Sequence, residues 1–370
     1  MSTSVSRLSI LTLVERSGSH PLQVVIPSPV SSDVYPKSIR YQHIDLVAEL
    51  LPRISHLTIA TCGGYDKPYI YRAFKDRSAD RLRRLNFIMS PPVDRLFLLH
   101  TPRLTSLYLS GVESWPAPIA KNLTHLHLDF HLNPRTLERD LKGSPRLKEI
   151  RINGVHRFSE RFGTHPRISL IPGVRLVITD SQNTVASLFA LGSTNHLSVT
   201  TSAVITNLSI TPILKLALPQ DVSCFRNLDD LTHVHLQLIN SAKTPHARTP
   251  RTVTVVLRCF AAEHETLYVK LEYILSDLWP PDTAETEIVP DRPPATRVLD
   301  HLGLLDLKKV VELRMVGFVG EWELQSLDLY HFLQRMPTLR RIATGDDNRE
   351  IFWFALSTMR RGSAVVIEEG

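Results

Sequence analysis

Two His-x-His pairs are the residues of this 370-residue chain whose type and spacing come closest to a catalytic site. The first is His125 and His127, with Asp129 and His131 beyond it, and the second is His233 and His235. In a strand, side chains two residues apart lie on one face. Two histidines of one strand can bind a single zinc ion, and a carboxylate can complete such a site. The spacing therefore raises a metal-dependent enzyme as an alternative function.

Other signatures of catalysis are missing from the sequence. It contains no G-x-S-x-G, no phosphate-binding P-loop, no G-x-G-x-x-G and no H-E-x-x-H. We therefore predict a protein that is not an enzyme, with no catalytic residue, no cofactor and no bound metal.

Both histidine pairs lie within a recurring apolar pattern at positions i, i+3 and i+5, which is the L-x-x-L-x-L core of a leucine-rich repeat. Leucine accounts for 53 residues of the chain. The pattern occurs at Ile54/Leu57/Ile59, Leu82/Leu85/Phe87, Leu104/Leu107/Leu109, Leu123/Leu126/Leu128, Leu147/Ile150/Ile152, Leu231/Val234/Leu236 and Val310/Leu313/Met315. The first five copies start 28, 22, 19 and 24 residues apart, close to the roughly 20 to 29 residues of such repeats.

A short proline-containing phrase precedes several copies of the pattern. It reads Leu51-Pro52-Arg53-Ile54, Thr101-Pro102-Arg103-Leu104, Ser144-Pro145-Arg146-Leu147 and Met336-Pro337-Thr338-Leu339. Proline stops a helix and biases the residue before it toward extended structure. Each copy thus predicts a helix end, a turn and a strand.

Apolar residues at helical spacing predict helices between the strands. The predicted helices are Val93 to His100, Thr136 to Lys142, Trp322 to Arg335, Pro68 to Asp76, Thr184 to Leu191, Val253 to Glu263 and Ile351 to Arg360. Two polar or proline-rich stretches, Asn240 to Arg251 and Pro280 to Thr296, predict exposed loops.

The alternation of strand and helix predicts an α/β fold, an irregular leucine-rich-repeat solenoid (horseshoe) of parallel strands with helices on its convex side. A doubly wound α/β domain is the alternative, but it gives no reason for the recurring phrase. We expect an N-terminal cap of helix and strand at 1–45, a repeat body at 46–279, a proline-rich linker at 280–297 and C-terminal repeats with a cap at 298–370.

The polar residues between the leucines should form the concave surface of such a solenoid, because side chains alternate along each strand. Tyrosine and arginine are enriched at binding hot spots. We predict a partner-binding face formed by His56, Arg84, Asn86, Ser106, Tyr108, His125, His127, Glu149, Arg151, His233, His235 and Gln237.

Composition and charge limit the partners. The 43 basic and 37 acidic residues give a net charge of +6, but the basic residues are spread along the chain, so a nucleic-acid-binding scaffold is only a third hypothesis. No apolar run is long enough to cross a membrane. Cys62, Cys224 and Cys259 are far apart and suggest a reducing compartment. We expect a cytoplasmic or nuclear protein.

The segment LVERSGSHPL, Leu13 to Leu22, followed by the strand-like Gln23 to Ile26, resembles a segment of F-box-like proteins of mushroom-forming fungi. The phrases LLHTPRLTSLYLSGV, LKGSPRLKEIRINGV and FLQRMPTLRRIATG are similar to that family's repeats. The resemblance implies a horseshoe that captures a protein target and is coupled through an F-box to the adaptor of a cullin-RING ubiquitin ligase. Too few residues precede Leu13 for an F-box, so we expect this chain to lack one, and no residue is assigned as an adaptor contact.

These observations together predict a protein-binding scaffold whose concave face holds a protein target.

Overall fold

The computed structural model describes residues 7–27, 37–62, 66–75, 77–93, 100–112, 115, 121–129, 134–153, 168–169, 172–180, 189–190, 196–205, 228, 230–241, 251–275, 299, 302, 305–318, 325–345, 349–358 and 365–369. The chain divides into two compact units, Met1–Ser159 (the first unit) and Glu160–Gly370 (the second unit). The division falls inside the stretch 46–279 that the sequence predicts as the repeat body. Within the described residues, no helix is long and apolar enough to span a membrane.

The first unit is a parallel sheet whose described strands pair in the order in which they occur along the chain. These strands are β1 (Leu22–Ile26), β2 (Ile54–Cys62), β3 (Arg84–Val93), β4 (Ser106–Val112), β5 (His125–Asp129) and β6 (Glu149–Asn153). The described helices are α1 (Arg7–Arg16), α2 (Lys37–Leu50), α3 (Asp66–Phe74) and α4 (Pro134–Lys142). Neighbouring parallel strands require a crossover between them, so the chain returns to the same end of the sheet before each strand.

The second unit is a mostly parallel sheet with the strand order β8-β10-β13-β12-β11-β14-β15-β16. Its strands are β8 (Arg175–Asp180), β10 (His196–Ile205), β11 (His233–Ser241), β12 (Arg251–Ala261), β13 (His264–Leu275), β14 (Glu312–Val316), β15 (Arg341–Thr344) and β16 (Val366–Glu369). β7 (Ile168–Ser169) and β9 (Phe189–Ala190) pair separately, and the described helices are α5 (Ser326–Gln334) and α6 (Arg349–Thr358). β12 runs antiparallel to both of its neighbours. The α/β class is therefore confirmed, whereas the prediction of parallel strands fails at β12.

The leucines of the repeat pattern form the core of each sheet. Leu107 on β4 pairs with Leu126 on β5, which pairs with Ile150 on β6 in the next parallel register. Each of the three side chains is only 1% exposed. Full burial of an aliphatic side chain of this size stabilises the folded state by about 1.5 to 3 kcal/mol. The predicted pattern is therefore confirmed at these positions, since the three residues lie on adjacent parallel strands and are buried on one face.

The proline-containing phrase forms the same turn in each of its four copies. In each, the amide of the fourth residue donates to the carbonyl of the first, as in a β-turn with proline at its second position. The donor and acceptor pairs are Ile54 to Leu51, Leu104 to Thr101, Leu147 to Ser144 and Leu339 to Met336. Leu82 to Ala79 and Val310 to Leu307 form the same bond without proline. A short sequence signal thus marks a recurring structural element in both units.

A second recurring element joins the start of one strand to the next. The carbonyl of the residue just before a strand accepts two hydrogen bonds from the start of the neighbouring strand. The donors are the amide of the residue just before that strand and the amide of its first residue. The acceptors are Arg83, Thr105, Thr124, Thr232 and Val311, with bonds of 2.8 to 3.2 Å. This junction keeps the strands in register, so residues at equal distance from it lie beside one another.

The segment Leu13 to Leu22, which carries the family resemblance, has a structural role. α1 ends at Arg16, and Gly18 continues the chain at a φ of +54°, the left-handed conformation common just after a helix. Arg53 donates to the carbonyl of Val14 at 3.2 Å, to the hydroxyl of Ser17 at 2.7 Å and to the carbonyl of Gly18. The guanidinium therefore holds the end of α1 against the turn that opens the first repeat.

Several local predictions are corrected by the structure. The predicted helix Val253 to Glu263 is wrong, because these residues form most of β12 and its following turn. The predicted loop Asn240 to Arg251 is strand at both ends, since β11 continues to Ser241 and β12 begins at Arg251.

Two further helix predictions fail at their ends. In the predicted helix Val93 to His100, Val93 is the last residue of β3 and His100 forms an isolated bridge with Ser78. In the predicted helix Thr184 to Leu191, residues 189–190 belong to β9. The remaining residues of these two predicted helices, 94–99, 184–188 and 191, lie outside the described residues, as does the loop at 280–296.

The other predicted helices are confirmed where they are described. They correspond to α3, α4, α5 and α6, although the start of the predicted helix at 322–335 lies outside the described residues.

Candidate binding face

The polar residues between the leucines of the first unit form two rows across β2 to β6. Strand pairing places the residues of each row side by side. One row is His56, Arg84, Ser106, His125 and Glu149, and the other is Thr58, Asn86, Tyr108, His127 and Arg151. Within the rows, Asn86 Nδ2 donates to Thr58 Oγ1 at 3.0 Å. The rows lie on the side of the sheet opposite the buried leucines.

A cavity of about 820 Å³ lies over these rows, and we call it the groove. Its lining includes every predicted face residue of the first unit: His56, Arg84, Asn86, Ser106, Tyr108, His125, His127, Glu149 and Arg151. The other described lining residues are Arg83, Thr105, Thr124, Leu107 and Leu126. Arg83, Thr105 and Thr124 are not among the predicted residues, because they do not lie between the leucines of the pattern. Their signal is the position directly before each strand, at the junction described above.

A polar cluster fixes one side of the groove. The hydroxyl of Tyr108 donates to Asp129 Oδ2, and the ring of Tyr108 lies 4.5 Å from that of His127, centroid to centroid. Asn153 Nδ2 lies 2.5 Å from His127 Nε2, within hydrogen-bonding distance. His127 Nε2 is also 3.4 Å from Asp129 Oδ1. The rings of Tyr108 and His127 are held in place by this network.

The same network changes the acidity of its members. Burial alone would raise the pKa of the Asp129 carboxyl, but hydrogen bonds from His127 and Tyr108 outweigh it and hold that pKa below its ordinary value. Burial, together with the hydrogen bond to Asp129, raises the pKa of Tyr108 to about 12. Tyr108 is thus a neutral donor and Asp129 an anion at neutral pH. The sequence indicates Asp129 only as a candidate metal ligand, and the structure adds its hydrogen bond with Tyr108.

A hydroxyl residue before each of three histidines fixes the ring of that histidine. Thr124 Oγ1 donates to the carbonyl of Thr105 at 3.0 Å and lies 2.9 Å from His125 Nδ1. Ser55 bridges the Leu22 carbonyl and His56 in the same way. Because each hydroxyl has one proton and the carbonyl can only accept, the histidine Nδ1 donates to the hydroxyl. Nε2 of neutral His56 and His125 is then an acceptor.

The remaining predicted residues lie in the second unit. His233 and His235 are on β11, where both rings lie near one carboxylate: His233 Nε2 is 3.9 Å from Glu312 Oε2, and His235 Nε2 is 3.8 Å from Glu312 Oε1. Thr232 bridges the Phe260 carbonyl and His233 Nδ1, the second unit's copy of the hydroxyl arrangement. Burial, with Arg314 and Arg258 nearby, lowers the pKa of His235. Gln237 is exposed on the same strand.

The structure bears on the zinc hypothesis through the placement of the two histidine pairs. They belong to different units. Among the described residues, no group of three or more His, Cys, Asp or Glu side chains is arranged to hold a metal ion. His131 lies outside the described residues.

Comparisons of the chain with models of protein families, with curated proteins and with solved structures found no match.

Proposed function

We propose that this protein is a non-catalytic protein-binding scaffold of the irregular leucine-rich-repeat type, and that the groove of the first unit holds its protein target. The observation that carries the proposal is the convergence of nine polar residues, selected only by their position between leucines, on one cavity. The side chains there are of kinds that make directional contacts with a partner: arginine, tyrosine, histidine and hydroxyl groups.

Recurrent geometry supports the repeat part of this proposal. The same four-residue turn and the same strand-to-strand junction occur in both units. A repeat that returns each strand to the same register produces a surface on which equivalent positions align. A solenoid with its helices on the convex side would leave this aligned polar face open to a partner.

We further propose that the scaffold acts as an F-box-like substrate-recognition module of a cullin-RING ubiquitin ligase. The support is the resemblance of the Leu13 to Leu22 segment and of the repeat phrases to that family, together with the contact of this segment to the first repeat through Arg53. In this arrangement the groove would select the target, and a separate F-box would connect it to the ligase.

Affinity capture from the native cells, followed by mass spectrometry, tests both parts. The variant Arg84→Glu reverses a charge inside the groove, and Arg103→Glu makes the same change at an exposed arginine that does not line it. We expect a target that is captured by the wild type and by Arg103→Glu and is lost with Arg84→Glu. Equal capture by all three proteins would contradict the groove as the binding site.

The ligase role has its own readout in the same experiment. A cullin adaptor that co-purifies with the wild type supports it. If the target is captured without the adaptor, the scaffold proposal stands and the ligase proposal is rejected.

A further inference from the structure

The groove has an uneven distribution of charge. Three arginines line it, Arg83, Arg84 and Arg151, and Glu149 is the single carboxylate among its described lining residues. Arg151 Nε lies 2.5 Å from Glu149 Oε1, so these two charges largely compensate each other. Within the described part of the chain, no carboxylate forms an ion pair with Arg83 or Arg84. The positive charge of the groove is therefore concentrated at the Arg83–Arg84 side.

Hydrogen-bonding groups surround this positive corner. His56 lies beside Arg84 in the strand register, and Ser106 lies on its other side. Thr105 and Thr124 line the same edge of the groove. Arg83 and Arg84 are both exposed, so their guanidinium groups are accessible to a partner. A guanidinium fork matches the geometry of a carboxylate and can bind it through two parallel hydrogen bonds.

Asp129 does not line the groove, but it contacts Tyr108 and His127, which do, and so places a negative charge beside that side of the groove. Its carboxylate already accepts the Tyr108 hydroxyl and lies 3.4 Å from His127 Nε2. An anionic partner is therefore attracted to the Arg83–Arg84 side and repelled from the Asp129 side. The charge pattern orients a partner as well as attracting it.

The size of the groove selects a short extended segment. It is lined by residues of β2 through β6, which are five neighbouring strands. At about 4.8 Å between strands the lined width is about 19 Å, the length of about six residues of extended chain. Alternate side chains of an extended peptide lie on one face, so about three of six can face the sheet.

Single-stranded nucleic acid fits the groove less well than a peptide. Such ligands stack their bases on a series of exposed aromatic side chains. Tyr108 is the only Phe, Tyr or Trp among the groove's described lining residues, and its ring already packs against His127. A continuous row of phosphates in the groove would also pass close to the carboxylate of Glu149.

From this geometry we infer that the groove binds an extended acidic peptide segment, whose Asp or Glu side chains pair with Arg83 and Arg84. This inference rests on the proposed function, since it names the chemistry of the partner that the groove would hold.

Fluorescence anisotropy with the purified full chain tests the inference. The probes are labelled peptides of about six residues, in which Glu alternates with Ala, and two matched peptides with Gln or Lys in place of Glu. We expect the Glu peptide to bind and the Gln and Lys peptides to bind at least about tenfold more weakly. Binding of the Glu peptide should also weaken between about 0.1 M and about 1 M salt, because the screening length falls from about 10 Å to about 3 Å.

Three arginine variants test whether the Glu peptide binds in the groove. Arg84→Glu should weaken binding of the Glu peptide by at least about tenfold, Arg84→Lys should weaken it less, and Arg103→Glu should leave it unchanged. Circular dichroism confirms that each variant is folded. Equal weakening by Arg84→Glu and Arg103→Glu would show that attraction is a property of the whole charged surface, and the inference would be rejected.

Other outcomes separate this inference from the proposed function. Equal binding of the Glu and Gln peptides, or no binding of the Glu peptide, rejects the acidic ligand, whereas the proposed function is judged separately by the Arg84-dependent capture of a protein target. Stronger competition by a phosphorylated peptide or a single-stranded oligonucleotide than by the Glu peptide would also overturn the inference. Ser106→Trp, which fills the middle of the groove, should abolish binding of any true groove ligand.

Discussion

Substitution of Gly317 by alanine provides a quantitative test of the packing between β11 and β14. Gly317 directly follows β14 and has a φ of +87°. A Cβ added there would lie 2.0 Å from the carbonyl oxygen of Leu238, a backbone atom of the neighbouring strand. The left-handed conformation alone costs a residue with a side chain about 1 to 2 kcal/mol. The forced separation of the two strands adds about 1 to 3 kcal/mol. The expected loss in the free energy of unfolding is therefore about 2 to 5 kcal/mol.

Substitutions at two further glycines separate the cost of the left-handed backbone conformation from the cost of the clash with β11. Gly18 also has a positive φ, +54°, but no atom lies within 4 Å of the position its Cβ would take, so Gly18→Ala should show only the conformational cost of about 1 to 2 kcal/mol. Gly345 has neither a positive φ nor a near neighbour. Gly345→Ala should be neutral, or stabilising by about 0.4 to 1 kcal/mol through the unfolded chain. Gly345 lies in the second unit with Gly317 and is therefore the matched control.

Urea denaturation followed by circular dichroism gives the free energy of unfolding of each variant. The expected order of stability is Gly345→Ala, then Gly18→Ala, then Gly317→Ala. If Gly317→Ala unfolds at the same urea concentration as Gly345→Ala, the close approach of this loop to β11 is wrong. The register that places Glu312 beside His233 would then need revision as well.

The remaining predictions concern the first unit. Tyr108→Phe removes the hydrogen bond to Asp129 and should lower the free energy of unfolding by about 1.5 to 3 kcal/mol at neutral pH. Because the pKa of Asp129 is lowered in the folded state, the full loss should be seen above the ordinary pKa of 3.8, and it should shrink as the pH falls through the folded-state pKa. Urea denaturation at a series of pH values measures this difference between the variant and the wild type. Asp129→Asn should lower the pKa of Tyr108 from about 12, measured by phenolate absorbance, without restoring its ordinary value, because burial remains the larger cause. Arg53→Ala should increase hydrogen exchange and proteolysis in α1, since it removes three hydrogen bonds to the end of that helix, whereas unchanged exchange would argue against this contact. Leu126→Ala should cost about 2 to 5 kcal/mol, while His125→Ala, at the exposed neighbouring position, should change stability little, and similar losses for both would contradict the assignment of core and face.

The face of the first unit could be predicted from sequence because each strand obeys one simple periodicity. Leu107 and Leu109 are buried, and Ser106 and Tyr108, which alternate with them along β4, face the groove. The spacing of the copies varies, yet the junction at the start of each strand restores the register. The interaction of Tyr108 with Asp129 could not be predicted in this way, because the two residues are 21 positions apart and come together only through that register.

The division into two units could not be predicted from the spacing of the apolar residues either. The repeat pattern continues in the second unit at Val234 and Leu313, whose side chains are fully buried. Nothing in the spacing of the leucines distinguishes them from those of the first unit. Periodicity reports which face of a strand is buried, whereas the grouping of strands into compact units depends on contacts between residues distant in the chain.

The segment Val253 to Glu263, predicted as a helix, forms most of strand β12, and this strand makes the polar face of the second unit differ from that of the first. Apolar residues at 253, 256, 257 and 260 match a helical period, but Val253, Val255, Leu257 and Cys259 also alternate, and all four are buried in β12. The β-branched residues in this stretch favour a strand, and this preference distinguishes the strand from the helix where both periodicities fit. β12 is antiparallel, so it needs no crossover helix and joins β13 through a tight turn.

This inserted strand also changes the charge beside the second histidine pair. β12 places Arg258 next to His235 and the apolar Val256 next to Gln237. Arg258 Nε lies 3.9 Å from Glu265 Oε2, and Arg341 NH1 lies 3.2 Å from Glu312 Oε2, so the neighbouring charges of the second unit are paired with each other. In the groove of the first unit, Arg83 and Arg84 form no such ion pair with a described residue. Because an unpaired exposed arginine retains its attraction for an anion, the same repeat pattern leads us to expect an acidic partner at the first unit rather than at the second.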